Sequence, residues 1–383
     1  MENFTFYSPT KFVFGKGTEN EAGSLVKSFG GSNVLVHYGG GSVVRSGLLD
    51  RVKASLENSG IKYTSLGGVK PNPRSGLVYE GIDICRKEGI DFVLAVGGGS
   101  SIDSSKAIAA GALYDGDFWD FYSGKPIEKA LPVGTVLTIA AAGSEGSGDS
   151  VITKEEGMFK RGTGSEAIRP KFSIMNPELT TTLPPYQTAC GITDIMAHLY
   201  ERYLTNSKDV EVTDRLIEAL LITMKNEGPK VIADPLDYQA RANIMWAGTM
   251  AHTNSCGVGR SQDWNSHNIE HELSALYDCA HGAGLAVTMP VVFKYVMDHD
   301  KKRFEQAAQR VWSVETAEEG IEAFRSFLIS IGMPSTLGEL GGTKKDIPVL
   351  VRNLCYGDGR TGTISGFVTL NEDDCTRIYQ MML

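Results

Sequence analysis

Short apolar segments alternate with amphipathic ones through the first half of the chain, and this alternation limits the fold more than any other feature. The apolar segments are NVLVHY (33–38), DFVLAVGGG (91–99), LPVGTVLTIA (131–140) and KFSIMNP (171–177), with segments such as LLDRVKASLENSG and SIDSSKAIAAGALY between them. Apolar runs without strict alternation, separated by helices, are typical of a parallel sheet covered on both faces. The first half is therefore predicted to be an α/β domain with a parallel sheet.

The second half of the chain has a different pattern. After about residue 188, segments such as DVEVTDRLIEALLITMKNE (209–227) repeat apolar residues every three and four positions, which predicts long helices. Of the 44 glycines, 28 lie in residues 1–180, whereas every histidine except His37 follows position 190. The 383 residues also exceed the about 250–300 that one core usually holds. We expect an α/β domain over 1–183 and an all-α domain over 184–383, divided near Pro184 and Pro185.

Charge and composition exclude several classes of partner. The net charge of −9 argues against nucleic acid and anionic membranes, because either would favour a basic surface. The segment MENFTFYSPTKFVFG has no basic region followed by an apolar run, and no uncharged apolar stretch approaches the about 18 residues that span a bilayer. The six cysteines contain no CxxC pair, which indicates reduced thiols in a cytoplasmic protein. Small molecules are the expected partners.

Two predicted strands end in the same glycine-rich turn, YGGGS at 38–42 and VGGGS at 96–100. Such a turn before a helix lets backbone N–H groups approach a phosphate, although a single one is as well explained as a tight connection. Two on successive α/β units favour a dinucleotide. An acidic residue that binds the ribose diol in NAD-using folds is missing here, while Ser42 and Arg45 follow the first turn, which favours NADP over NAD.

Histidines and one aspartate are spaced for a metal site. Asp194 and His198 are four residues apart in one predicted helix, His267 and His271 are four apart in another, and His281 follows shortly after. One carboxylate with two or three imidazoles suits Fe²⁺ or Zn²⁺. Each histidine alone is more often a hydrogen-bonded core residue than a ligand. The remaining histidines, His37, His252 and His299, are expected to be structural. His252 is also a candidate to line a pocket.

Six motifs together resemble the iron-containing (group III) alcohol dehydrogenase family. They are FVFGKG, YGGGS, AVGGGSSID, AAAGSEGSGDSVIT, DIMAHLYERYLT and HELSALYDCAHGAGLAV, and they follow the order and spacing of that family over essentially the whole chain. Within the family, the motifs are most similar to those of NADPH-dependent butanol dehydrogenases and aldehyde reductases. The resemblance implies a dehydroquinate synthase-like fold, with an α/β dinucleotide domain, a helical domain, and an active site in the cleft between them.

The resemblance also implies specific site residues. The metal ligands fall on Asp194, His198, His267 and His281, while His271 matches a nearby histidine that does not bind the metal and is our candidate proton relay, with pocket shaping as the alternative role. The cofactor contacts fall on nine positions: Gly40, Ser42, Gly98, Gly99, Ser100, Asp103, Thr138, Ser147 and Lys160. The chain departs from the family at Ala140–Ala142, which removes a hydroxyl that relatives usually carry at position 142.

The implied function is hydride transfer between NADP(H) and a small aldehyde or primary alcohol, with Fe²⁺ or alternatively Zn²⁺ polarising the oxygen. Two alternatives stay open at this point. One is a zinc enzyme like glycerol dehydrogenase, using NAD, or like dehydroquinate synthase, and the other is a nucleotide-binding regulator without activity. The apolar segments FTFY and FVF are expected to form strands that pair across a homodimer edge, although the same edge is equally compatible with coverage inside one chain.

Overall fold

The structure, a computed structural model, describes residues 1–383, with the side chain of residue 358 excepted. Contacts divide the chain into a sheet unit, Tyr7–Thr182, and a helical unit, Leu183–Leu383 together with Met1–Phe6. The first six residues differ from the sequence assignment, which placed them in the first domain. They belong with the helical unit because the Met1 amino group donates to the carbonyl of Lys208 at 2.7 Å and Glu2 N–H donates to that of Gly259 at 2.8 Å.

The sheet unit contains a six-stranded sheet in the order β1-β8-β5-β4-β2-β3, in which all neighbouring strands are parallel. This confirms the parallel sheet predicted from the apolar segments. A separate antiparallel hairpin, β6 with β7, was not predicted. The strands are β1 Lys11–Phe14, β2 Asn33–Gly39, β3 Lys62–Val69, β4 Phe92–Gly97, β5 Val133–Leu137, β6 Asp149–Lys154, β7 Phe159–Gly164 and β8 Phe172–Met175.

Helices cover both faces of this sheet, as expected for parallel strands. Val34 and Val36 of β2 pack into one apolar cluster, and Leu35 between them packs into the other, on the opposite face. The first cluster includes residues of α1 and α3, and the second includes residues of α4 and α5. The helices of the sheet unit are α1 Ala22–Ser28, α2 Ser42–Arg45, α3 Leu48–Asn58, α4 Ser75–Glu88 and α5 Gly99–Ala112.

One expected strand is absent from the part of the chain that the structure describes. Within the single described chain, the FTFY segment, residues 4–7, forms no strand pairing, whereas FVF lies in β1. The pairing of FTFY across a dimer edge stays a prediction. The backbone of residues 1 and 2 is bonded within the helical unit. Phe4 and Tyr7 keep 51% and 62% of their surface exposed.

The helical unit is built almost entirely from long helices, as the sequence predicted. It also contains a two-stranded antiparallel ribbon, β9 Thr363–Ile364 with β10 Leu370–Asn371. Among the described residues, no helix combines the length and the apolar character needed to cross a bilayer. The helices are α6 Pro185–Tyr203, α7 Glu211–Ala233, α8 Tyr238–His252, α9 Asn265–Tyr277, α10 His281–Val296, α11 Lys301–Ala307, α12 Ala317–Ser330, α13 Ile347–Tyr356 and α14 Glu372–Met381.

Candidate functional site

The two glycine-rich turns lie side by side in the sheet unit, because β2 and β4 are neighbours with Tyr38 opposite Val96. From β2 the chain crosses to β3 on one side, and from β4 it continues to β5 on the other. The carboxyl ends of β2 and β4 therefore flank the point where the strand order reverses, which is where open α/β sheets bind ligands. This places Gly40 and Ser42 of the first turn beside Gly98, Gly99 and Ser100 of the second.

Glycine is needed in these turns for close approach and not for a left-handed backbone. A Cβ atom at Gly98 would lie 2.1 Å from the Ile139 side chain, and one at Gly97 would lie 2.4 Å from Ser101 Oγ. Cβ atoms at Gly40 and Gly99 would instead meet nothing within 4 Å. The backbone at Gly40 and Gly99 is thus open to a ligand on the side where other residues would carry a side chain.

A guanidinium group lies against the first turn. A Cβ atom at Gly41 would be 2.2 Å from Arg45 Nη1, so the Arg45 side chain folds back over the turn that ends β2. Ser42 and Arg45 are both exposed, and both are available to a phosphate group near the turn. The arrangement presents a positive charge and a hydroxyl where an NAD-specific fold would present a carboxylate.

The implied cofactor residues Asp103 and Ser147 are engaged within the sheet unit. The Asp103 carboxylate accepts hydrogen bonds from Ser144 Oγ at 2.5 Å and from Val151 N–H at 2.9 Å. Lys106, one turn further along α5, donates to the carbonyls of Ser144 and Asp149, each at 2.7 Å, and lies 3.4 Å from Ser147 Oγ. These contacts hold the segment 144–151 against α5.

Sequence reasoning missed Lys106. Its signal was a single lysine directly before the apolar stretch AIAAGA of α5, in a helix where a buried cation is tolerated only when it is satisfied. Burial lowers the pKa of Lys106 to about 8, although the Asp103 and Asp149 carboxylates oppose that shift. The remaining implied cofactor residues lie nearby in the same unit: Thr138 N–H donates to Gly97 O at 3.0 Å, and buried Lys160 donates to Asn72 Oδ1 at 3.1 Å.

Three imidazoles converge on one carboxylate oxygen in the helical unit. The Oδ1 atom of Asp194 lies 3.5 Å from His198 Nε2 and 3.8 Å from the Nε2 atoms of both His267 and His281. Helix α6 provides Asp194 and His198 on one face, α9 provides His267, and α10 begins at His281. Two ligands at 2.0–2.1 Å from one tetrahedral ion are about 3.3 Å apart, so these separations are close to those of a shared metal ion.

Two of the atoms that face one another here lack a hydrogen-bond partner among the described residues. Within the described part of the chain, Asp194 Oδ1 and His267 Nε2 are buried and have no hydrogen-bond partner. A buried polar atom without a partner is costly and calls for a specific explanation. Asp194, His267 and His281 lie close enough together to share one ion, whereas His198 is outside that three-residue group although its Nε2 faces the same oxygen.

The far sides of the imidazoles are held by residues that the sequence analysis did not select. The Nδ1 atom of His267 is hydrogen-bonded to Glu201, and that of His281 to Glu270. The Nδ1 atom of His198 lies 3.4 Å from Arg202 Nη1 and 3.3 Å from His252 Nδ1. The available signal was helical spacing, since Glu201 and Glu270 each follow a candidate ligand by three residues.

Burial and neighbouring charges set the protonation of this cluster. Burial, followed by the nearby His252 and His267 rings, holds the pKa of His198 well below its usual range. Burial alone would raise the pKa of Asp194, but the nearby His267 and His281 rings lower it. Burial opposes a charge on His267, yet Glu201 and Asp194 together raise its pKa to about 10. A neutral His198 and an ionised Asp194 are the forms that bind metals.

His271, the predicted relay, lies beside this cluster. Its ring centroid is 6.3 Å from that of His267 and 5.7 Å from that of His281, and its side chain is half-buried. His271 also forms a second close group with Glu270 and His281. The structure therefore brings together all three histidines of the HNIEHELSALYDCAH segment, and adds His252, which the sequence treated as structural.

Two family models match nearly the whole chain. The model for iron-containing alcohol dehydrogenases matches residues 9–177, and the model for the C-terminal part of the Fe-containing alcohol dehydrogenase family matches residues 188–383. The chain belongs to the iron-containing alcohol dehydrogenase family. As a member of that family it is an alcohol dehydrogenase enzyme, and the family acts with a nicotinamide dinucleotide and iron.

Individual relatives agree with this assignment over their full length. The chain is 42% identical to the probable NADH-dependent butanol dehydrogenase 2 of Bacillus subtilis (strain 168), over 100% of both chains. It is 36% identical to the NADPH-dependent aldehyde reductase YqhD of Escherichia coli (strain K12), over 92% of this chain and 93% of the relative. The crystal structure of NADH-dependent butanol dehydrogenase A from Thermotoga maritima matches with a TM-score of 0.97 and 41% identity, covering 100% and 99% of the two chains.

Proposed function

We propose that this iron-containing alcohol dehydrogenase transfers hydride between NADP(H) and a small aliphatic aldehyde or primary alcohol, in the manner of a butanol dehydrogenase. The observation that carries the proposal is the convergence of three imidazole Nε2 atoms on Asp194 Oδ1, where Asp194 Oδ1 and His267 Nε2 have no hydrogen-bond partner among the described residues. Such a cluster is the kind of site that binds an oxygen-polarising cation.

A divalent metal fits the donor set. The proposed ligands are Asp194, His198, His267 and His281, which offer one carboxylate and three imidazoles and no thiolate. A bound Fe²⁺ or Zn²⁺ supplies Lewis acidity toward a carbonyl or alcohol oxygen. Mixed imidazole and carboxylate sites accept both ions, so we propose Fe²⁺ first, in accord with the family, and Zn²⁺ as the alternative.

A dinucleotide fits the turns of the sheet unit. The open backbone at Gly40 and Gly99 suits phosphate oxygens, and a bound nicotinamide supplies or accepts the hydride. Relatives carry names with either nucleotide, NADH for the Bacillus subtilis protein and NADPH for the Escherichia coli one. We propose NADP(H) because Arg45 folds over Gly41 beside exposed Ser42, and a guanidinium pairs well with a 2′-phosphate.

We propose that His271 delivers the proton that the reduced aldehyde needs. When an aldehyde is reduced, its oxygen gains negative charge and must be protonated. His271 is half-buried next to two proposed ligands and is not itself a proposed ligand, which suits its imidazole to deliver that proton, directly or through water.

One assay tests the function. Chelator-stripped protein is mixed with butanal and NADPH, Fe²⁺ or Zn²⁺ is added back, and the loss of NADPH absorbance is followed with NADH in parallel. We expect turnover that depends on metal and prefers NADPH. Turnover of glycerol with NAD, or release of phosphate from a sugar-acid phosphate, would favour the other zinc enzymes of this fold. Tight NADPH binding without turnover on either metal would favour the regulator.

We further propose that the enzyme forms a homodimer in the cytoplasm. Strand β1 lies at the edge of the six-stranded sheet, paired only with β8 among the described residues, and Phe14 at its end is 41% exposed. An open edge with apolar side chains is suited to pair with a second copy. Light scattering gives the mass directly, and a monomer at micromolar concentration would contradict the dimer.

A further inference from the structure

We infer that Glu201 and Glu270 are positioning residues that align His267 and His281 for the metal and tune its affinity. The inference rests on the proposed function, because it concerns the ligands that would hold the ion. Both carboxylates are fully buried, and each is bonded to the Nδ1 atom of one of these imidazoles. Nothing in the proposed hydride or proton transfer uses them.

Glu201 holds His267 at two places. One carboxylate oxygen is bonded to Nδ1 of the imidazole, and the other accepts the backbone N–H of His267 at 3.0 Å. Since Glu201 lies on α6 and His267 on α9, a single carboxylate sets both the start of α9 and the rotation of the ring. The ring is thereby held with Nε2 toward Asp194.

Glu270 holds His281 from the inside of the helix pair α9 and α10. Its carboxylate is bonded to Nδ1 of His281, and the path of its side chain runs against Gly284. A Cβ atom at Gly284 would lie 2.5 Å from Glu270 Oε1 and 2.7 Å from its Cγ, so this helix position has to be glycine for the carboxylate to reach the imidazole.

The chemistry of a carboxylate behind an imidazole explains the arrangement. An ionised carboxylate fixes the proton on Nδ1, which leaves the Nε2 lone pair for a metal and makes the imidazole a stronger donor. His198 differs from these two histidines, because Arg202 and His252, and not a carboxylate, face its Nδ1 atom.

The test compares metal binding by Glu201→Gln, Glu270→Gln and a matched control, Glu218→Gln. Glu218 is a buried acid of the same unit whose partners are Tyr203, Arg215 and Arg310 and not an imidazole. Zn²⁺ affinity is measured by competition with a chromophoric chelator, the ligand geometry by the visible spectrum of the Co²⁺ form, and folding by thermal unfolding of the stripped proteins.

We expect about 10- to 100-fold weaker Zn²⁺ binding for each of the two variants, an altered Co²⁺ spectrum, and retained folding of the stripped proteins. The control should bind like the wild type. Unchanged affinity and spectrum in both variants would overturn the inference while leaving the metal site intact. A wild type that binds neither Zn²⁺ nor Co²⁺ would instead overturn the proposed function and the inference with it. A lower unfolding temperature of the stripped variants with unchanged Zn²⁺ affinity would show a purely structural role and would also overturn the inference.

Discussion

Asp194 Oδ1 and His267 Nε2 face each other across 3.8 Å, and neither atom has a hydrogen-bond partner within the part of the chain that the structure describes. The distance is too long for a hydrogen bond and close to that between two ligands of one ion. The two residues lie on α6 and α9, separated by 73 positions in the numbering, and Glu201 of α6 fixes the imidazole from its other side. Their relationship is the basis of the first prediction.

Replacing Asp194 should remove metal and activity together. Without its carboxylate, Asp194→Ala leaves three imidazoles and no anion to bind a dication, so metal content should fall below stoichiometric. Loss of Lewis acid assistance worth several kcal/mol corresponds to at least about a 1,000-fold loss of kcat/KM. Metal analysis, the butanal assay and circular dichroism measure the three properties. The control is Asp83→Ala on α4, an exposed acid 3.8 Å from Lys87. An active, metal-free Asp194→Ala protein would exclude this mechanism.

Replacing His271 should slow turnover without removing metal. If His271 delivers the proton, His271→Ala should lower kcat by about 100-fold, the lower range for general acid catalysis, with metal content unchanged. Steady-state kinetics with butanal separates this from pocket shaping, in which KM changes and kcat is preserved. His299→Gln is the matched control, because His299 is bonded to Asn206 and lies outside the cluster.

Replacing Arg45 should change the choice of nucleotide. The guanidinium over Gly41 is proposed to pair with the 2′-phosphate, a charge-assisted bond worth about 1.5–3 kcal/mol. Arg45→Ala should therefore lower kcat/KM for NADPH by about 10- to 100-fold and leave that for NADH nearly unchanged. The control Arg51→Ala removes a nearby guanidinium that is bonded to Glu19 instead. Equal losses with both nucleotides would contradict a role in 2′-phosphate binding.

His37 should make the free energy of unfolding depend on pH. Burial lowers its pKa from 6.5 to about 4, while a hydrogen bond with Leu66 O opposes that shift. Because the unfolded chain binds the proton more readily, His37 favours unfolding as the pH falls from about 6.5 toward 4, and costs about 3 kcal/mol when both states are below that window. Its contribution to stability is complete above pH 6.5.

Urea unfolding of the stripped protein at pH 4 to 7 measures this effect. His37→Gln keeps a hydrogen-bonding group near Leu66 and Ser104 but does not titrate, so its free energy of unfolding should vary less with pH than that of the wild type. The metal-site histidines contribute equally to both proteins and drop out of the comparison. Parallel pH curves for the two proteins would show that His37 does not titrate between the folded and unfolded states as expected.

Local sequence patterns predicted much of the fold because they depend on nearest neighbours along the chain. The apolar runs that form β2, β4, β5 and β8 are buried on both faces, so each continuous run predicted its strand. β3 was not predicted, because KYTSLGGV is an edge strand with exposed polar positions and two glycines. The FTFY segment forms no strand within the described chain, and the backbone of residues 1 and 2 is bonded to distant parts of the helical unit, so its pairing across a dimer stays a prediction.

The sequence by itself determined the parallel sheet, the helical second half, the two glycine turns and the pairs of ligands at four-residue spacing, since each follows from the period of a strand or helix. Only the tertiary structure decided which atoms face one another. It brought Glu201 to His267 from 66 residues away, turned Asp103 toward Ser144 and Val151, and enclosed Lys106. Such contacts depend on how helices and strands pack. The periodicity of a local sequence segment does not predict which buried groups of distant segments will be in contact.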